Sequence, residues 1–187
     1  MTKFNFAPAS ANEAFVFGAQ RPGYDSPTKP IPVSKVTTWM DFMEKQGIKA
    51  VCCLLKDKLA YYKCDLLETY RQRFGNDKVC WAPVPDFTLA DESILTSTIL
   101  PFLSSSVNLE DRVVVHCSGG IGRTGHILAA WLVYGRSMTN EEAIRAVLAS
   151  GRNPYEAEGS DKIGKMKLEA LLNACRAKSI QNRSIIG

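Results

Sequence analysis

The 187-residue chain is long enough for one sizeable hydrophobic core and too short for two comfortable domains. With 45% hydrophobic and 22% charged residues it has the composition of an ordinary globule, and its net charge of +4 suits an anionic ligand while falling short of the concentrated basic patch of a nucleic-acid binder. The opening MTKFNFAPAS holds no apolar leader, and the longest strongly apolar run, residues 127–134, is well under the roughly 20 residues that span a bilayer, so the expectation is one domain over residues 1–187, cytoplasmic, with neither membrane nor nucleic acid as partner.

In chain order, residues 14–17 read as a first short strand, and Pro22, Gly23, Pro27, Pro30 and Pro32 mark an irregular segment after it. Val36, Trp39, Met40 and Met43 recur at helical spacing until Gly47 stops them. Residues 48–55, IKAVCCLL, form a strand apolar on both faces. Residues 59–74 are expected as one helix ended by Gly75, and residues 79–84 as a short strand. Thr88 and Asp91 resemble a capping box before a helix carrying Leu95, Ile99, Phe102 and Leu103, with a kink at Pro101. A buried strand follows at 112–116, and 124–134 is apolar nearly all round, which places that helix at the centre of the molecule. Thr139 and Glu142 cap a helix bearing Ile144, Val147 and Leu148, which Gly151 stops; Leu168, Leu171, Leu172 and Cys175 line one face of the last helix. Strands alternating with helices over 36–135 predict an α/β fold: a central, mostly parallel sheet flanked by helices. Six cysteines without a leader are expected as reduced thiols, with Cys52, Cys53 and Cys175 in the core.

The text VVVHCSGGIGRTG over residues 113–125 carries the chemistry. An apolar strand runs into a glycine-rich turn and the turn into an apolar helix, where a parallel sheet binds its ligands. Gly119, Gly120 and Gly122 let backbone N–H groups converge. The helix start adds its own unpaired N–H groups and the positive end of its dipole, so that with Ser118 and Ile121 the turn makes a cradle for a tetrahedral oxyanion. Arg123 adds a permanently charged fork suited to two phosphate oxygens. Cys117 opens the same cradle, and the field that favours phosphate also favours thiolate over thiol. His116 is placed to fix the loop by hydrogen bonds, and the Thr124 hydroxyl to reach back toward the sulfur. His116 and His126 are the only histidines and no Cys-x-x-Cys occurs, so no metal and no cofactor is expected.

This string resembles the His-Cys-x5-Arg-Ser/Thr loop of the protein tyrosine phosphatase superfamily, standing here as His116, Cys117, Ser118, Gly119, Gly120, Ile121, Gly122, Arg123, Thr124 and then Gly125. The resemblance is specific over residues 80–155. It implies a phosphatase acting on phosphoproteins, phosphotyrosine before phosphoserine and phosphothreonine, through a cysteinyl-phosphate on Cys117, with Arg123 as clamp and an aspartate as general acid on a loop before the signature strand. Two aspartates compete in PVPDFTLAD over 83–91. Asp86 lies between a strand end and a helix start, in a Pro-Asp-Phe text resembling the family's acid loop. Asp91 falls at the third position of the next helix, a capping place. Asp86 is the preferred acid.

The compact length is similar to the dual-specificity branch, the filling CSGGIGRTG resembles the tyrosine-specific enzymes, and no Asn-Arg-Tyr substrate loop is found, so the subfamily stays open. The x5 segment has no lysine of the kind that phosphoinositide-directed relatives carry. A phosphopeptide-binding pseudo-phosphatase and an RNA 5′-triphosphatase-like enzyme remain as alternatives. Residues 18–35 are, by position, the candidate wall of the pocket. Cys52, Cys53, Cys64 and Cys80 are candidate resolving thiols for an oxidised Cys117. The segment GRNPYE over 151–156 differs in order from the Arg…Pro-Asn segment of dual-specificity relatives and reads equally as a turn between helices.

Overall fold

The computed structural model describes residues 2–157 and 161–186. Strands β1 (Ala7–Pro8), β2 (Val16–Gln20), β3 (Ile48–Cys53), β4 (Val79–Trp81) and β5 (Arg112–Cys117) form one sheet in the order β1-β2-β5-β3-β4, parallel throughout except where β1 meets β2. The helices are α1 (Val33–Lys45), α2 (Leu66–Phe74), α3 (Glu92–Ile94), α4 (Leu100–Asn108), α5 (Gly122–Arg136), α6 (Asn140–Ala149) and α7 (Lys162–Ile186). This is the α/β architecture that the alternation of elements implies.

Side chains alternate across each strand, so the sheet builds two cores. Val113, Val115 and Cys117 of β5 face the layer containing α4, α5, α6 and α7, whereas Val114 faces α1 and α2. Both faces of β3 and β5 are covered, which is why their sequences are apolar runs rather than alternations. Every residue from Gly122 to Tyr134 of α5 is buried, so this helix sits between the sheet and α4, α6 and α7. The capping box of Thr139 and Glu142 starts α6, and Leu168, Leu171, Leu172 and Cys175 are the buried face of α7. Among the described residues, no helix is long and apolar enough to cross a membrane.

Several boundaries differ from the sequence expectation, among them the strand expected over 48–55, which ends at Cys53. The expected helix over 59–74 is broken: a 3₁₀ turn, Asp57–Tyr61, is followed by extended chain, and α2 begins only after Asp65, whose carboxylate accepts the Glu68 N–H. The cause is a bridge from a distant segment, since the Ile31 N–H donates to the Tyr61 carbonyl and the Lys63 N–H to the Ile31 carbonyl, which holds residues 61–63 extended. The first strand begins two residues later than expected and runs on to Gln20, because the Glu13 carboxylate takes the N–H groups of Phe15 and Val16 and makes that stretch a turn. The strand expected to reach residue 84 ends at Trp81, although Ala82 and Val84 still donate their N–H groups to β3-side carbonyls. The kink at Pro101 takes the form of a π-turn, Leu95–Ile99, just ahead of α4.

Glu13 is the anchor that sets β2 in place. Burial pushes its carboxyl up, but the bonds from Arg136, the Phe15 N–H and Trp131 outweigh burial and leave it below the usual value. Trp131 Nε1 donates at 3.0 Å, and Arg136 supplies Nε at 2.9 Å and Nη2 at 3.0 Å. Glu13→Ala strands these donors, so chemical denaturation should show a loss of about 3 kcal/mol.

Candidate active site

β5 lies at the middle of the parallel strands, and its last residue, Cys117, opens a turn that enters α5. A cleft of about 180 Å³ stands at this end of the sheet, lined by Cys117, Ser118, Gly119, Ile121, Gly122 and Arg123 from the turn and by Asp86 and Lys58 from neighbouring loops. The structure thus brings the sequence-predicted nucleophile, clamp and preferred acid into one cavity. A wider hollow of about 570 Å³ on α7 contains none of these groups.

A trans peptide sends its C=O and N–H in opposite directions. The Cys117 carbonyl accepts from His116 Nδ1 at 3.3 Å, and the Ser118 carbonyl accepts from the Arg21 backbone N–H at 3.0 Å. Both donors belong to buried residues outside the cleft lining, so these bonds turn the N–H groups of Ser118 and Gly119 toward the cleft. Gly120 does not line the cleft. It has φ +74° and lies so close to β2 that a Cβ would sit 2.5 Å from the Ala19 carbonyl, which only glycine tolerates.

His116 is wholly buried and its charge state is set by that burial, which pushes it down to about 4; Arg21 and Arg123 push in the same direction and the Cys117 carbonyl bond opposes. The ring is therefore neutral. Since a carbonyl only accepts, Nδ1 carries the proton, and Nε2 accepts from the Tyr70 hydroxyl at 3.2 Å. Trp39 packs edge-on against the same ring at 5.3 Å between centroids. Trp39 was legible in the sequence only as an apolar helix position, and Tyr70 only as part of the helix expected over 59–74. The Thr124 hydroxyl departs from expectation: it is buried without a hydrogen-bond partner, so the reach to the Cys117 sulfur is not made, and the Thr124 methyl lies against Gly18 instead.

The acid loop is tied at both ends to α5. The Val84 carbonyl accepts from Arg123 Nη1 at 2.9 Å, and the Ala90 N–H donates to His126 Nε2 at 3.0 Å. Between these ties Asp86 pairs with Arg123 through one carboxylate oxygen and with Lys58 through the other. Lys58, in the turn that replaced the expected helix, is a site residue that sequence reasoning missed. Nothing in KDKLAY marks it, because its position depends on the Ile31 bridge. Asp91 is outside the cleft and is itself the N-cap of α3, accepting from the Ser93 hydroxyl and N–H, which hold its carboxyl below the usual value. The Thr88 capping expectation is corrected accordingly: its hydroxyl donates to the Pro85 carbonyl within the loop.

Two aromatic rings stand at the rim. Tyr24, from the 18–35 segment, passes over Gly119, and Phe87, next to Asp86, is 75% exposed with φ +58°. Among the candidate resolving thiols, Cys52 and Cys80 are register partners on β3 and β4 and hydrogen-bond to each other, which pushes Cys52 well above its ordinary value. Burial pushes Cys53 up to about 12. All six cysteines are free thiols.

A family model described as "Tc-R-P: Polymorphic toxin system, DSP-PTPase phosphatase" matches residues 26–136, more than half of the chain. The chain belongs to this family and through it to the cysteine-based protein tyrosine phosphatase superfamily. Protein tyrosine phosphatase domain-containing protein 1 of Mus musculus is 42% identical over 50 residues, a stretch covering 27% of this chain and only 7% of that protein. The crystal structure of Tk-PTP in the active form is similar with a TM-score of 0.64 at 23% identity, over 86% of this chain and 93% of its own. That of PTPMT1 in complex with PI(5)P has a TM-score of 0.67 at 13% identity, over 93% of this chain and 98% of its own. Both likenesses are of fold.

The neutral state of His116 has a measurable consequence. Its folded value of about 4 lies below the ordinary 6.5, so unfolding takes up a proton between these two values. The stability it contributes is complete above the ordinary value and is lost as pH falls through the folded one. Urea titrations from pH 7 to pH 4 should show the wild type losing on the order of 3 kcal/mol more than His116→Gln; parallel pH slopes would refute a neutral buried ring.

Proposed function

We propose that the chain is a protein phosphatase that hydrolyses phosphotyrosine through a cysteinyl-phosphate intermediate. The observation that carries this reading is the convergence of Cys117, Arg123 and Asp86 on one cleft at the end of β5. The ester phosphate sits in the cradle with two oxygens on the Arg123 fork. The Cys117 thiolate attacks phosphorus, the ester P–O bond breaks, and Asp86 gives its proton to the departing oxygen. Water then attacks the cysteinyl phosphate, Asp86 takes the proton, and the S–P bond breaks to return thiolate and inorganic phosphate. Binding the ester displaces Asp86 from Arg123, and the freed carboxylate takes up a proton from solvent, so that it enters the first step as an acid.

The rim supports the choice of substrate. Tyr24 and Phe87 offer apolar faces at the mouth, where an aryl phosphate ester places its ring. The uncharged x5 segment, Ser118 to Gly122, supplies nothing for a second phosphate.

Two measurements test this. Cys117→Ser should retain aryl phosphate binding and lose turnover, and Asp86→Ala should lose about 10²–10⁴-fold in kcat on a phosphate ester with a poor leaving group, with Asp91→Ala near wild type. Turnover by Cys117→Ser would rule out the covalent route, and a large loss confined to Asp91→Ala would reassign the acid. In a panel of phosphopeptides with phosphotyrosine, phosphoserine or phosphothreonine at one position, phosphotyrosine should lead in kcat/KM by at least about tenfold. Faster hydrolysis of PI(5)P than of any peptide would move the substrate class to a lipid headgroup.

A further inference from the structure

The peptide following Gly119 poses the same demand as the two before it. If the turn is to keep its N–H groups toward the cleft, the Gly119 carbonyl has to point away and find a donor there. That donor comes from the far end of the chain: Asn5 Nδ2 lies 3.3 Å from the Gly119 carbonyl oxygen. Gly119 lines the cleft and Asn5 does not, so the Asn5 amide approaches from outside.

The backbone around Asn5 is built to deliver that amide. Phe4 and Asn5 are successive left-handed residues, with φ of 58° and 49°, a conformation that asparagine adopts far more readily than phenylalanine. Something has to hold Phe4 there. On one side the aromatic rings do so: Phe4 meets Phe42 at 5.2 Å between centroids, and Phe6 stacks on Phe17 at 5.0 Å. On the other side stands Arg152, 1% exposed and, among the described residues, without a carboxylate partner. Its Nη2 donates to the Asn5 carbonyl at 2.7 Å and to the Gly18 carbonyl of β2 at 2.5 Å, and its Nη1 to the Ser150 carbonyl at 3.1 Å. A buried cation held by carbonyls and the Ser150 hydroxyl is costly, and here it ties the 3–6 segment to β2 at the strand that borders the turn.

We propose that Asn5 is a positioning residue of the oxyanion cradle: its amide holds the Gly119 carbonyl outward and so fixes the turn in the shape that presents the N–H groups of the cleft-lining residues to the bound phosphate. Asn5 touches neither substrate nor reacting atoms and acts through Gly119. The assignment rests on reading residues 117–123 as an oxyanion cradle.

Tungstate, a tetrahedral oxyanion, is the probe, with binding measured by calorimetry on the full chain. Asn5→Gly keeps the left-handed backbone free of steric cost and deletes only the amide. Its affinity for tungstate should fall about fivefold, with KM for p-nitrophenyl phosphate rising by a similar factor, kcat within about twofold, and the thermal midpoint nearly unchanged. Asn5→His, which tolerates the same backbone and offers a ring N–H, should recover most of the loss. Wild-type affinity in Asn5→Gly overturns the role of Asn5, as does an equal loss in both variants when both are folded by circular dichroism. A wild type that binds no tungstate would instead overturn the cradle itself, so the two failures are distinguishable.

Discussion

Between Cys117 and Arg123 the backbone turns its carbonyls away from the cleft so that its N–H groups can face in, and each displaced carbonyl needs a donor in a dry interior. An unmet one costs on the order of 1–3 kcal/mol, a large part of the stability of a domain this size. Much of the surrounding architecture answers that need. His116 supplies the Cys117 carbonyl from the α1 and α2 side of the sheet, backed by Tyr70 and Trp39. Arg21, at the end of β2, supplies Ser118, and its own guanidinium is held by the Pro22 and Gly23 carbonyls. The sheet, its covering helices and the loop after β2 thus meet at the peptide groups of one turn.

The other half of the site is held differently. The acid loop touches the cradle through side chains of α5: Arg123 grips the Val84 carbonyl and His126 the Ala90 N–H, so the residues between form a short span with fixed ends. Fixed ends and an exposed middle are what a loop needs if it is to shift a carboxylate by a small amount without unravelling. Phe87, left-handed and largely exposed, sits in that middle.

The parts of this arrangement that were legible in the sequence are those encoded locally. A strand apolar on both faces, a helix with no polar side, the Thr139 capping box and the spacing of Leu168, Leu171, Leu172 and Cys175 are read from neighbours a few positions apart. The cysteine–arginine turn is of the same kind, because the whole cradle lies within ten consecutive residues. What was not legible depends on distant contacts. Lys58 enters the cleft only because Ile31 holds residues 61–63 extended, and the sequence around it has good helical spacing. Asp91 was placed inside a helix that it instead begins, since α3 is too short to announce its own start. Tyr24 becomes a wall only once Arg21 is fastened to Ser118.

The Arg123 guanidinium already has a tenant. The carboxylate of residue 86 occupies the guanidinium of residue 123, and its second oxygen rests on Lys58. Any incoming anion therefore competes with a tethered one for the same fork, and what is measured as affinity is an exchange between two anions. A singly charged carboxylate or bicarbonate in solution offers little that the resident does not, whereas a phosphate dianion brings twice the charge and a third oxygen for the backbone. On the proposed reading, selectivity for phosphate against weaker anions is set by Asp86 itself, ahead of any contact with the group the phosphate came from.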